Sequence, residues 1–164
     1  MRLLLIKKSI DKKMVVFCEK FYKDYITKRN KKIPFVAFLI FLLTILICRL
    51  IVIWIEEGRP FLNFFRISEY HVHHFYLGIF LIIIWNWLLL QVNNKKYINE
   101  IKISSSILFG IGLGLITDEF GLILTMEFDI KGEYWAPHSY YLMSIISAIF
   151  LFNLIFPRRK KKNR

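Results

Sequence analysis

Four apolar stretches, each near the length that crosses a bilayer core, alternate along the chain with short polar segments. They are expected at about residues 33–55, 71–92, 103–126 and 139–156. The first holds a single charge, Arg49, and the third holds Asp118 and Glu119. The second has no acid or base after its leading histidines, and the fourth has none at all. Ahead of them Leu3, Ile6, Ile10, Met14, Phe17, Phe21 and Tyr25 recur every three or four residues, an apolar helical stripe backed by lysines. This pattern predicts an all-α fold: a four-helix transmembrane bundle over 33–157. A basic amphipathic helix at 1–32, lying on the anionic cytoplasmic leaflet, precedes it, and a basic tail at 158–164 follows.

Composition removes the alternatives. An apolar share of 56% is too high for a disordered chain, and two cysteines are too few for a disulfide-stapled secreted module. Cys18 and Cys48 fall at different depths, so no pairing is expected between them. The first 32 residues lack the apolar core and small-residue cleavage site of a signal peptide.

The net charge of +12 looks at first like a signature of nucleic acid, yet its distribution follows topology. Eleven Lys/Arg against three acids precede residue 33, Lys95, Lys96 and Lys102 sit between the second and third stretches, and six Lys/Arg follow Pro157. The remaining two loops, 56–70 and 127–138, hold three Lys/Arg against six acids. The positive-inside rule then places both termini in the cytoplasm of a multi-pass protein of the cell membrane. The bilayer is the expected partner, a homo-oligomer is compatible with the pattern, and no nucleic-acid partner is expected.

With that orientation the intramembrane charges converge. At about 1.5 Å of rise per residue, Arg49 lies roughly 9 Å from the outer end of its span, and Asp118 and Glu119 lie roughly 10–12 Å from theirs. His71, His73 and His74 open the second span, and His138 opens the fourth. His71 and His74 would share a helix face that continues through Gly78, Ile82 and Asn86. Gly110, Gly114, Asp118 and Gly121 would share another, on which small residues admit a close neighbour.

Ionisable groups inside a membrane point to function. Histidines with carboxylates are a normal donor set for a divalent metal, zinc first and iron or manganese as alternatives. On this expectation His71, His73, His74, Asp118, Glu119 and His138 are the candidate ligands, while Glu119, Asp118 and Arg49 carry catalytic roles in a metal-dependent hydrolase. The competing expectation is a non-enzymatic subunit or small transporter-like protein whose polar cluster serves assembly or proton movement. A plain ion pair from Arg49 to one carboxylate, with the histidines wet at the headgroup boundary, accounts for part of the set. The chain contains no HExxH, no Gly-x-Ser-x-Gly and no P-loop.

The run His71-Val72-His73-His74-Phe75 with Gly78, the segment from Gly110 to Gly121 around Asp118-Glu119, and Tyr134-Trp135 together resemble a family of small polytopic membrane proteins from bacteria and archaea with no assigned reaction. The resemblance covers roughly residues 49–140. It implies that His73, His74, Asp118, Glu119, Tyr134 and Trp135 belong to one site, and it implies no substrate.

Overall fold

The computed structural model describes residues 14–58, 66–67, 70–71, 73–91, 98–126 and 134–156. Among these residues the fold is all-α apart from one two-residue antiparallel pair. Helix α1 (14–27) ends in a π-helical turn over Tyr22–Thr27, α2 spans Lys32–Glu56 and α3 His74–Gln91. Helix α4 spans Ile98–Asp118, α5 is the short Phe120–Thr125, and α6 spans Pro137–Ile155. Between α2 and α3, Arg66–Ile67 (β1) pairs with Tyr70–His71 (β2).

Three of these helices, α2, α4 and α6, are long and apolar enough to cross a membrane, and α3 is a shorter apolar helix beside them. Exposure points the same way. Leu46, Ile47 and Leu50 on α2 and Ile145, Ile149 and Phe152 on α6 are all more than half exposed, whereas Thr117, Asp118, Glu119 and Ser139 are fully buried. A molecule apolar outside and charged inside belongs in lipid. Polar side chains within the helices bond their own backbone, as Thr44 does to Ile40 and Thr117 to Leu113, which removes their cost in an apolar medium.

The bundle is built around α4, which packs on α2 and α3. Its glycines set both contacts. A Cβ on Gly110 would lie 2.7 Å from the Ala37 carbonyl oxygen, and one on Gly114 would lie 2.7 Å from the Thr44 Cβ, so α2 seats directly on this face. The opposite face approaches α3 through Gly112, where a Cβ would meet the Gly78 carbonyl oxygen at 2.8 Å. Residues 37, 44 and 49 meet 110, 114 and 118 in ascending order, so α2 and α4 run parallel. Helix α3 runs antiparallel to α4, with Gly78 against Gly112 and His74 against Asp118. Helix α6 returns beside α2: Phe150 stacks on Phe38, and Arg49 sits under Tyr140.

Two details depart from the pattern read in the sequence. The third apolar stretch is not one helix, because the chain turns at Glu119 (φ −97°, ψ 18°) between α4 and α5. Helix α3 begins at His74, and His71 lies in β2, so the helical spacing expected of His71 and His74 does not hold. Of the N-terminal stripe, positions 3, 6 and 10 lie outside the described residues, Met14 and Phe17 are exposed, and Phe21 stacks on Tyr25. Asn30 carries the left-handed turn (φ 53°) that sends the chain from α1 into α2, a conformation asparagine tolerates better than most residues.

Candidate functional site

At the end of the bundle where α2 and α4 finish and α3 starts, the side chains of Arg49, His73, His74, Asp118 and Glu119 meet. The glycine stripe explains why. Each turn of α4 along Gly110, Gly114 and Asp118 faces a turn of α2, and at the last turn the small residue is replaced by a carboxylate opposite Cys48 and Arg49.

Arg49 Nε lies 2.7 Å from Asp118 Oδ1, its guanidinium also donates to the backbone carbonyls of Asp118 (3.2 Å) and Tyr134, and its charge rests over the rings of Trp135 and Tyr140 at 5.3 and 5.2 Å. Cation–π contact of this kind replaces part of the lost hydration of a buried guanidinium.

The turn at Glu119 decides the rest. In an unbroken helix adjacent residues point about 100° apart. Here the break brings both carboxylates to one imidazole: His74 Nε2 is 3.3 Å from Asp118 Oδ2, and His74 Nδ1 is 3.3 Å from Glu119 Oε1. Glu119 is surrounded by donors. Tyr134 Oη donates to Oε1 at 3.0 Å, His73 Nδ1 lies 3.3 Å from the same oxygen, and the Phe75 backbone N–H donates to Oε2 at 2.9 Å. Below it, the Gly121 N–H donates to Ser139 Oγ at 2.8 Å and ties α5 to α6.

Asp118 differs from Glu119 in one respect. Its neighbours stand at ion-pair distance but without hydrogen-bond geometry, so both carboxylate oxygens, His74 Nε2 and Arg49 Nε are buried with no hydrogen bond. Buried polar atoms are nearly always satisfied, and four such atoms in one place require an explanation. Two of these residues, Asp118 and His74, form with Cys48 a group whose ligand-capable atoms all lie within 4.8 Å of one another.

The structure therefore brings Arg49, His73, His74, Asp118, Glu119 and Tyr134 together. It leaves His138 exposed in the first turn of α6, outside the one ligand-capable group found among the described residues. The side chain of His71 lies outside the described residues. Cys48 was missed by sequence reasoning, which considered it only as a disulfide partner for Cys18 and rejected that pairing. A signal was present: Phe41, Thr44 and Cys48 share one face of α2, and that face matches the Gly110–Gly114–Asp118 face of α4 turn by turn.

No family model, no curated protein and no solved structure matches the chain.

Proposed function

We propose that the chain is a four-span protein of the cell membrane, with both termini cytoplasmic and α1 on the inner leaflet, that holds a divalent metal in the outer half of the bundle and uses it to hydrolyse a lipid or another amphiphile. Alternation of direction, with α2 and α4 parallel and α3 and α6 opposed to them, supports four spans. The charge distribution supports the orientation.

The observation that carries the metal is the coincidence of two sets of atoms. His74 Nε2 and the Asp118 carboxylate oxygens are buried without hydrogen bonds, and these same two residues form with Cys48 a group whose ligand-capable atoms lie within 4.8 Å of one another. Ligands about a tetrahedral ion lie about 3.5 Å apart, so small side-chain rotations close the group. Thiolate, imidazole and carboxylate together favour zinc over a hard cation.

Glu119 then acts as a positioning residue. It takes the Nδ1–H of His74 and leaves Nε2 as the donor, the carboxylate–histidine arrangement common at metal sites. Charge also balances: Arg49, Asp118 and Glu119 sum to one negative charge, and a divalent ion with a Cys48 thiolate brings the site to neutrality. Three protein ligands leave a coordination position open, where such an ion supplies Lewis acidity and an activated water. The partly exposed imidazole of His74 marks the open side, at a depth that only a membrane-borne substrate reaches.

Elemental analysis of the detergent-purified full chain tests this reading. About one equivalent of zinc is expected, falling several-fold in Cys48→Ser and His74→Ala. A metal-free wild type, or zinc unaffected by both substitutions, overturns it. Hydrolysis is tested separately, by chelator-sensitive turnover of a lipid panel in nanodiscs.

One observation favours a second reading. Both nitrogens of His74 face carboxylate oxygens at 3.3 Å, as they would if an imidazolium, rather than a metal, balanced the site. That reading gives a proton-carrying subunit, and it predicts pH-driven proton flux in proteoliposomes, with no bound metal, that Asp118→Asn abolishes.

A further inference from the structure

The opposite end of the bundle carries a second polar feature, unconnected with the first. Where α2 and α4 begin and α3 ends, a cavity of about 590 Å³ opens between the three helices. Its polar wall consists of Asn30, Asn86, Asn99, Lys102, Ser105 and Ser106. Its apolar wall runs up α2 and α4 along Ile33, Pro34, Ala37 and Phe109. Among the described residues that line it, Lys102 is the sole charged one, so the cavity has a cation and no carboxylate.

Two further facts give it a sign. Trp85 lines the cavity, and its indole Nε1 is buried without a hydrogen-bond partner; an indole N–H can only donate, so it needs an acceptor. The first turns of α2 and α4, helices of 25 and 21 residues, both border the space, and α2 starts with no side-chain cap. The uncapped start of α2, an ammonium, an unpaired indole donor and the amides of Asn30 and Asn99 favour an anion rich in acceptors.

We propose that this cavity binds the phosphodiester headgroup of an anionic phospholipid from the leaflet at this end of the bundle, with the glycerol and upper acyl carbons along Ile33, Pro34, Ala37 and Phe109. A free phosphate would satisfy the polar wall but leave the apolar wall wet. A zwitterionic headgroup would bring a quaternary ammonium beside Lys102 and the helix ends. The anionic lipid satisfies both walls. Its site differs from the diffuse attraction of surface lysines for a negative leaflet, because the charged and uncharged donors line one cavity.

Native mass spectrometry of the full chain in detergent, titrated with phosphatidylglycerol, phosphatidylcholine or glycerol 3-phosphate, tests the proposal. One phosphatidylglycerol per chain is expected to bind at least tenfold more tightly than phosphatidylcholine, with no saturable glycerol 3-phosphate adduct. Lys102→Glu should lower the affinity at least tenfold, Lys102→Arg should retain it, and Trp85→Phe should weaken it about threefold without changing any charge. Lys28→Glu, an equal charge change at the exposed residue that follows α1 and lies outside the cavity lining, should leave it unchanged. Equal loss in Lys28→Glu and Lys102→Glu would show surface electrostatics alone and overturn the proposal. Saturable binding of glycerol 3-phosphate with equal affinity would overturn the lipid as the occupant.

Discussion

Each end of the bundle buries a cation, and the two are held by different chemistry. At one end Lys31, 2% exposed, donates to the carbonyls of Asn153, Leu154 and Phe156, and Arg29 donates to that of Ile155. These are the last carbonyls of α6, which have no intrahelical partner and carry the negative end of the helix dipole. The ammonium completes a helix terminus, and the arrangement needs nothing more. At the other end Arg49 pairs with Asp118 in a cluster that also holds Glu119 and two histidines, and four buried polar atoms there lack a hydrogen bond. A saturated cation marks architecture, whereas the unsaturated cluster is where the proposed ion or proton would sit.

The sharpest way to break this contrast is to delete each cation. Arg49→Met leaves two carboxylates buried with less compensation, and removing one partner of a buried pair costs about 3–5 kcal/mol. Reversible unfolding in mixed micelles should show a loss of that size, and Arg49→Met combined with Asp118→Asn should recover a large part of it. A single substitution that costs nothing would mean that Asp118 is already neutralised by a bound ion or proton, and would shift weight from the ion pair to the site.

The next effect in size concerns the packing that brings the site together. Gly114→Val places a branched side chain where a Cβ alone already lies 2.7 Å from the Thr44 Cβ, and overpacking of this kind costs about 1–3 kcal/mol. Because α2 and α4 share one register, the substitution should also part Cys48 and Arg49 from Asp118. It should therefore reduce bound zinc as well as stability. Retained zinc in a destabilised Gly114→Val would separate the site from the glycine seam.

That seam also shows what was legible in the sequence. Gly110, Gly114 and Asp118 stand at helical spacing, and small residues at that spacing in an apolar stretch point to close helix contact, which is where α2 sits. Membrane-length blocks were equally readable, because lipid forces long unbroken apolar runs. The second seam, Gly112 against Gly78, was not read, since it needs two helices to choose facing glycines. The turn at Glu119 was not legible either. Nothing between Thr117 and Phe120 breaks a helix by composition, and a continuous helix would set the two carboxylates about 100° apart. Cys48 was passed over for a related reason: its importance comes from what α4 presents to it, a property of the pair of helices. Single-helix periodicity reveals faces, but the partner of each face is set by tertiary packing.

The remaining effects test the end held by carbonyls. Lys31→Met removes the charge that covers the terminus of α6, and loss of hydrogen bonds to a charged group costs about 1.5–3 kcal/mol, with no change in bound metal. Its neighbour at the end of α1, the exposed pair of Lys28 Nζ and Asp24 Oδ1 at 2.7 Å, should matter far less. The hydrogen bond and charge of Lys28 hold the Asp24 carboxyl below its ordinary value of 3.8. Whatever this pair contributes is therefore present above that ordinary value and lost as pH falls through the lower folded one. Between pH 5 and 8, Lys28→Ala should leave the unfolding midpoint within the scatter of the wild type, while Lys31→Met lowers it measurably. If Lys28→Ala has the larger effect, α1 is held by its surface charges, and the contrast between a capped helix end and an unsatisfied charge cluster loses its structural half. Equal and negligible effects would instead mean that the α6 carbonyls find water when Lys31 is gone, placing this end of the bundle at the membrane–water boundary rather than within the hydrocarbon.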